Sequence, residues 1–245
     1  MKVGESDVTH QLDSLGVLGH MLGTTCLHAC RAMVEGRLKN HPSPAAKTAA
    51  LDAIQRDWAR TNIERAGVRV HLESATKLEP GQRFILVSNH LSLSDVPVLI
   101  HGMPLSIRFV AKKELSYVPF LGSGMESAGH IVIDRSRGKE AYALMRKAVD
   151  EAGTTVAIFP EGTRSRDGQL LPFKAGAFHL AVETRLPVLP VSLIGTRSVM
   201  APDSSLVKWG VDVTIRVGRP VESGTLGADE LRTRVRTIIE SMMAT

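Results

Sequence analysis

The feature that most restricts this chain is a change of hydrophobic period near residue 68. Beyond it come seven short apolar runs of strand length: 68–72, 84–88, 107–111, 130–134, 155–159, 188–194 and 211–217. Helix-like stretches alternate with them, notably Lys139–Asp150 and Ala175–Arg185, and Gly and Pro mark the turns between. This alternation predicts an α/β fold, with a mixed and largely parallel sheet flanked by helices. A last helix over 228–243 puts Leu231, Val235, Ile238, Ile239 and Met242 on one side. With 43% hydrophobic residues in 245, the chain can bury a substantial core, and no repeat or linker divides this part further.

Residues 1–67 follow a different period. Leu15, Leu18, Leu22, Cys26, Ala29 and Met33 step by three and four, which predicts an apolar stripe on one helix face. Ser43 followed by Pro44 is a good N-cap and first-turn pair for a second helix. That helix should turn Leu51, Ile54 and Trp58 inward and end near Gly67. We therefore expect a helical hairpin over 1–67 and an α/β domain over 68–245. The hairpin either packs on that domain or docks on a membrane, with Arg31, Arg37 and Lys39 near lipid head groups. The charge-free run from Ser14 to Cys30 holds three glycines and two histidines, too short and too polar for a spanning helix. The opening MKVGESDVTH lacks the basic and apolar regions of a secretory signal.

Thirty Lys and Arg against twenty-five Asp and Glu leave a net charge of +5, which suits an anionic partner. The basic residues are spread out and not interleaved with aromatics, so nucleic acid is a poor candidate. An anionic membrane surface or a phosphorylated small molecule fits better. Cys26 and Cys30 read as small packing residues, since no His or Cys at zinc spacing accompanies them, and no metal is expected. His20, His28, His71, His101, His130 and His179 have no paired acid in a motif and read as structural or surface residues.

Four blocks carry chemistry. After the run 84–88 comes Asn89-His90-Leu91-Ser92-Leu93-Ser94-Asp95, where the aspartate can reach the second ring nitrogen if the loop curls into a helical turn. The segment 129–135 is a strand that ends in Arg135. Residues 159–165 set Glu161, Gly162, Thr163 and Arg164 at a turn, and 187–191 is an apolar strand bracketed by prolines.

In this order the blocks resemble the glycerolipid acyltransferases, specifically the 1-acylglycerol-3-phosphate acyltransferases. The His-to-Asp block matches at His90 and Asp95, and the Pro-Glu-Gly-Thr-Arg block at Pro160–Arg164. The segments 111–115 and 172–178 are similar too, so the likeness spans about residues 84–195. It implies acyl transfer from a thioester, of coenzyme A or of an acyl carrier protein, to a lysophospholipid, with no cofactor. It also implies a peripheral enzyme on the cytoplasmic face of the membrane.

In that reading the acceptor hydroxyl takes the place of the serine in a Ser-His-Asp triad. His90 is the base and Asp95 orients it. Arg164 and Arg135 are expected on the acceptor phosphate, because a guanidinium fork matches phosphate oxygens, and Lys112 is a third candidate. By resemblance Glu161 contacts the glycerol portion; by chemistry it could equally hold Arg164 or part of the turn. Gly162 permits close approach of backbone to ligand, and Thr163 can donate a hydrogen bond. The same dyad could serve another lyso-lipid acceptor, or a hydrolase if water replaces the lipid. A lipid-binding protein on this scaffold would have no need of His90 and Asp95.

Overall fold

The computed structural model describes residues 5–204 and 206–244. Seven strands form one sheet: β1 (Arg69–Ser74), β2 (Ile85–Ser88), β3 (Ile107–Lys112), β4 (Ile131–Ile133), β5 (Thr155–Ile158), β6 (Val188–Ile194) and β7 (Asp212–Val217). Their order is β1-β7-β6-β2-β5-β3-β4. Every pairing is parallel except β6 with β7, so the expected mixed, largely parallel sheet is found. The central strands β2 and β5 are buried at every position, which is why they read as unbroken apolar runs.

Alternate residues of β2 feed two cores. Leu86 packs into a layer with Val98, Leu99, Ala59 and Ile63. Ile85 and Val87 face Val149, Phe178, Leu231 and Val235 on the other side. The first layer is built by α1 (Glu5–Met33), α2 (Pro44–Arg65) and α3 (Asp95–Gly102). The second is built by α5 (Gly138–Ala152), α6 (Gly176–Thr184) and α8 (Ala228–Ala244). Two short helices, α4 (Leu121–Ser127) and α7 (Thr196–Val199), a π-helical stretch (Val34–Leu38) after α1 and a 3-10 turn (Lys113–Tyr117) after β3 are the remaining described elements.

The start of α2 is as expected: Ser43 Oγ accepts from Ala46 N at 3.1 Å, with Pro44 in the first turn. Leu51 and Ile54 are buried, and Trp58 is partly so. Arg108 of β3, itself buried, pairs with Asp52 of α2 at 2.6 Å and locks the helix to the sheet.

In α1 the expected stripe departs from what is found. Of its members Ala29 is buried and Leu18 packs against the core, but Leu22 is 61% exposed and Cys26 is exposed, while Val17, His28 and Ala32, outside the stripe, are buried. Leu15 lies outside the residues whose side chains are described. The face toward α2 is joined by polar contacts: Thr24 to Asn62, Trp58 Nε1 to Thr25, and His28 to Asp57. Apolar periodicity cannot register such a contact. The rest of the stripe is only half covered, by α4, where Gly124 brings backbone against Ala29. Cys26 is thus no packing residue, and Cys30 is only half-buried.

Candidate active site

β2 delivers the His90 loop, and side chains from distant segments hold that loop in shape. Just past the strand, the buried Asn89 amide accepts from Leu193 N at 2.7 Å and donates to Leu193 O at 2.9 Å. It continues the ladder to β6 for one more residue, and then the chain turns away. Asp95, fully buried, opens α3, where the N-terminal dipole favours an acid. Its Oδ2 accepts from Leu91 N at 2.7 Å, Ser92 N at 2.9 Å and His90 Nδ1 at 2.7 Å. With Nδ1–H engaged, the free Nε2 is the nitrogen left to act as a base. The imidazole lies flat against Phe159, with centroids 4.1 Å apart and planes 13° from parallel.

The loop after β5 is stitched to this corner. Ser165 N donates to His90 O at 2.8 Å. Glu161 is buried, accepting from His90 N at 2.8 Å and from Leu171 N at 3.0 Å. Burial pushes its carboxyl above the usual range, against the pull of those two amides. Both oxygens are thus engaged by backbone, and Glu161 does not line the cavity. With both oxygens on backbone amides, Glu161 holds the turn, the alternative that its chemistry allowed beside an acceptor contact.

Gly162, Thr163 and Arg164 do line a cavity of about 570 Å³, together with His90, Lys112 and Arg135. Gly162 has φ 76°, a left-handed conformation natural to glycine, and a Cβ there would meet Lys174 Nζ at 2.8 Å. Arg135 donates to Gly162 O, so its fork is partly engaged by the turn, and burial lowers its guanidinium pKa. Arg164 and Lys112 have no ion-pair partner among the described residues. Sequence reasoning missed Lys174 beside the turn, although it lies inside the 172–178 block.

Phe109, Phe159 and the aliphatic part of the wall make the cavity's other side apolar. It shares Trp58, Leu121, Met125 and His130 with a smaller apolar pocket, about 80 Å³, between α1, α2 and α4. His130 keeps a structural tie: its Nδ1 accepts from Phe109 N at 3.1 Å. Burial, then the Arg108 charge, depresses its pKa to about 3, so the ring is neutral. Among the described residues no group of three His, Cys, Asp or Glu side chains is placed to hold a metal ion. No described helix is long and apolar enough to cross a membrane.

Residues 68–194, just over half of the chain, match the family model described as Acyltransferase. A 1-acyl-sn-glycerol-3-phosphate acyltransferase of Limnanthes douglasii is 38% identical over 160 residues, 64% of this chain and 57% of the relative. One from Saccharomyces cerevisiae is 33% identical over 167 residues, 66% of this chain and 55% of the relative. The human alpha enzyme of that name is 32% identical over 180 residues, 72% of this chain and 63% of the relative. The chain therefore spans under two thirds of the length of these curated relatives. The crystal structure of a 1-acyl-sn-glycerophosphate (LPA) acyltransferase from Thermotoga maritima superposes with a TM-score of 0.81 at 23% identity, covering 95% of both chains.

Proposed function

We propose that this chain, which belongs to the acyltransferase family, moves a fatty acyl group from a thioester to the free hydroxyl of a lysophospholipid. 1-Acylglycerol-3-phosphate is the preferred acceptor and phosphatidate the product. The observation that carries this reading is the His90–Asp95 contact at 2.7 Å, on the wall of a cavity with an apolar side and a cationic rim. The relatives' shared activity points the same way.

His90 Nε2 takes the proton of the acceptor hydroxyl as its oxygen attacks the thioester carbonyl. Asp95 stabilises the imidazolium that forms. The tetrahedral adduct collapses with loss of the thiolate, and the imidazolium returns its proton to that sulfur. No enzyme nucleophile is needed, because the acceptor supplies one. Arg164, Lys112 and the remaining donors of Arg135 engage the phosphate, while Gly162 and Thr163 shape the turn beside it. The donor is an acyl thioester of coenzyme A or of an acyl carrier protein.

The chain works as a peripheral protein on an anionic, cytoplasmic membrane face. Leu22 supports an apolar contact there. The charges weigh less than expected, because Arg31 pairs with Asp57 at 2.7 Å, Arg37 with Glu126 at 3.4 Å and Lys39 with Glu35 at 2.8 Å.

Purified protein given an acyl thioester and a panel of lyso-lipids, read by mass spectrometry, tests the reaction. Transfer to lysophosphatidate above other acceptors is expected. Thioester loss at the same rate without any acceptor would make the protein a hydrolase instead.

A further inference from the structure

The segment between β3 and α4 carries a concentration of exposed aromatic and apolar surface. Only ten of the 245 residues are Phe, Trp or Tyr. Tyr117 is 68% exposed and Phe120 55%, with Val118 exposed between them. The one other Phe, Trp or Tyr with such exposure among the described residues, Trp209, has the Arg65 guanidinium over its ring. Large aromatic rings held in water are costly unless something covers them.

The placement of this segment says what covers it. Its flanking residues Lys112, Leu115 and Leu121 line the cavity that holds His90, so the aromatic residues lie at the cavity's edge. Along α4, Gly124 abuts Ala29, while Ser127 abuts Gly36, so α4 runs parallel to the α1 end of the hairpin. Leu121, where α4 begins, lines the small apolar pocket together with Thr25 and His28, so the loop before it ends against the turn of α1 that also carries the exposed Leu22 and Cys26. Lys112 stands exposed at the base of the same loop, while its neighbour Lys113 pairs with Asp134 at 3.5 Å. The combination is an apolar tip with aromatic rings beside the mouth of an amphiphile's cavity, whose rim carries Lys112, Arg135 and Arg164. That is the arrangement of an interfacial anchor on an anionic lipid surface.

The loop is also fixed in shape. Phe120 has φ 65°, unusual for a residue with a side chain. Gly122 lets α4 start against Ser116, where a Cβ would come within 2.5 Å of its Cα. Such bracing keeps Tyr117, Val118 and Phe120 from folding back onto the protein.

We infer that Tyr117, Val118 and Phe120 form a second membrane anchor, joined to Leu22 of α1, that sets the cavity mouth against an anionic bilayer. This rests on the reading that the substrates are lipids, but its first test needs no catalysis. Co-sedimentation with vesicles of phosphatidylcholine and phosphatidylglycerol is measured for the whole chain and two variants. Tyr117→Ser/Phe120→Asn is expected to weaken binding by about tenfold or more, a loss of about 1.4 kcal/mol per tenfold. Leu144→Ser, an exposed leucine on the opposite layer, should leave binding unchanged. Asn is chosen at 120 because it tolerates positive φ; Val118→Ser, at an ordinary backbone position, is the fallback if the double variant melts early.

A second arm measures transfer to a long-chain acceptor embedded in the vesicles and to a short-chain acceptor dissolved as monomer. The double variant should lose the first activity and keep the second. Equal vesicle binding by folded wild type and variant, binding abolished by salt alone, or equal loss on both acceptors would each overturn the anchor. Absence of transfer by wild type to either acceptor would instead overturn the enzymatic reading, while sedimentation still decides the anchor.

Discussion

The two sides of the cavity are built on opposite principles. At the His90 corner the groups that orient the base are held from within, although one buried oxygen, Asp95 Oδ1, has no hydrogen-bond partner among the described residues. Asp95 receives three donors, Glu161 two, and Asn89 exchanges a pair of hydrogen bonds with Leu193. On the cationic rim, Lys112 is exposed and Arg164 half-buried, and only Arg135 is partly held, on Gly162 O. The corner is preorganised, as a base must be to act without reorganising. The rim keeps its charge unspent, which suits groups whose partner arrives with the substrate. Faults at the corner should therefore reach all acceptors alike, and faults at the rim should select among them.

The largest effect belongs to the corner. His90→Ala should lower turnover by a factor on the order of 10²–10⁴, the contribution of a positioned general base. Asp95→Asn should be similarly severe, because an amide favours the wrong tautomer while leaving the packing in place. Stopped assays of both, beside a melting curve to confirm folding, make the check. Near-normal turnover in folded His90→Ala protein would remove the proposed mechanism.

At the rim, Arg164→Ala should reduce use of a phosphorylated acceptor by about 1–3 kcal/mol of transition-state binding, roughly ten- to hundredfold, and spare a phosphate-free one. Arg164→Lys should rescue only part, since it keeps the charge but not the fork. Arg135→Ala should do less and should also loosen the Gly162 turn. Kinetics on matched acceptors with and without phosphate decide this: equal losses on both would make the rim a structural element like the corner.

What the sequence revealed about these two sides follows from distance along the chain. The His90–Asp95 pair was legible because its members stand five positions apart; the gap is closed by the turn that leads into α3, with Asp95 its first residue, and not by a helical turn. The sheet was legible too, since strands covered on both faces leave long apolar runs. Asn89 with Leu193, and His90 with Glu161, join residues 104 and 71 positions apart, and no local pattern announces them. Glu161 stands in a motif, so its type was noticed while its direction was not. The helix α4 was missed because Leu-Gly-Ser-Gly reads as a turn; Gly122 and Gly124 serve close approach to Ser116 and Ala29 instead.

Glu161 offers the sharpest test of the border between the two principles. Glu161→Gln keeps the shape but has a single oxygen to accept from two amides, His90 N and Leu171 N. One buried N–H then loses its partner, at a cost of about 1–3 kcal/mol. A chain of this size should lose about 2–4 °C in Tm for each kcal/mol. Turnover should fall modestly, with KM for the acceptor nearly unchanged, because the side chain braces and does not bind. A raised KM at unchanged Tm would return Glu161 to the acceptor.

An effect seen only in the pH dependence of stability, and not in turnover at neutral pH, concerns the part of the wall shared with the apolar pocket. Burial and the Arg108 charge lower the His130 pKa from its ordinary value to about 3. Above pH 6.5 the ring is neutral folded or unfolded, so its contribution is fully present there. As pH falls from there toward 3, the unfolded chain takes up a proton that the folded chain refuses. Stability is then lost by up to about 1.4 kcal/mol per pH unit. His130→Asn supplies an amide oxygen for Phe109 N in place of Nδ1 and carries no titrating ring. It should lose some packing at neutral pH yet decline less steeply between pH 6.5 and 4 in urea melts. Carboxylates held low, such as Asp212 at about 2 beside Arg69 and His71, titrate in both proteins, so the difference between the two slopes belongs to residue 130. Parallel slopes would mean that the ring is protonated in the folded chain, and the cavity wall would then carry a charge beside its apolar side.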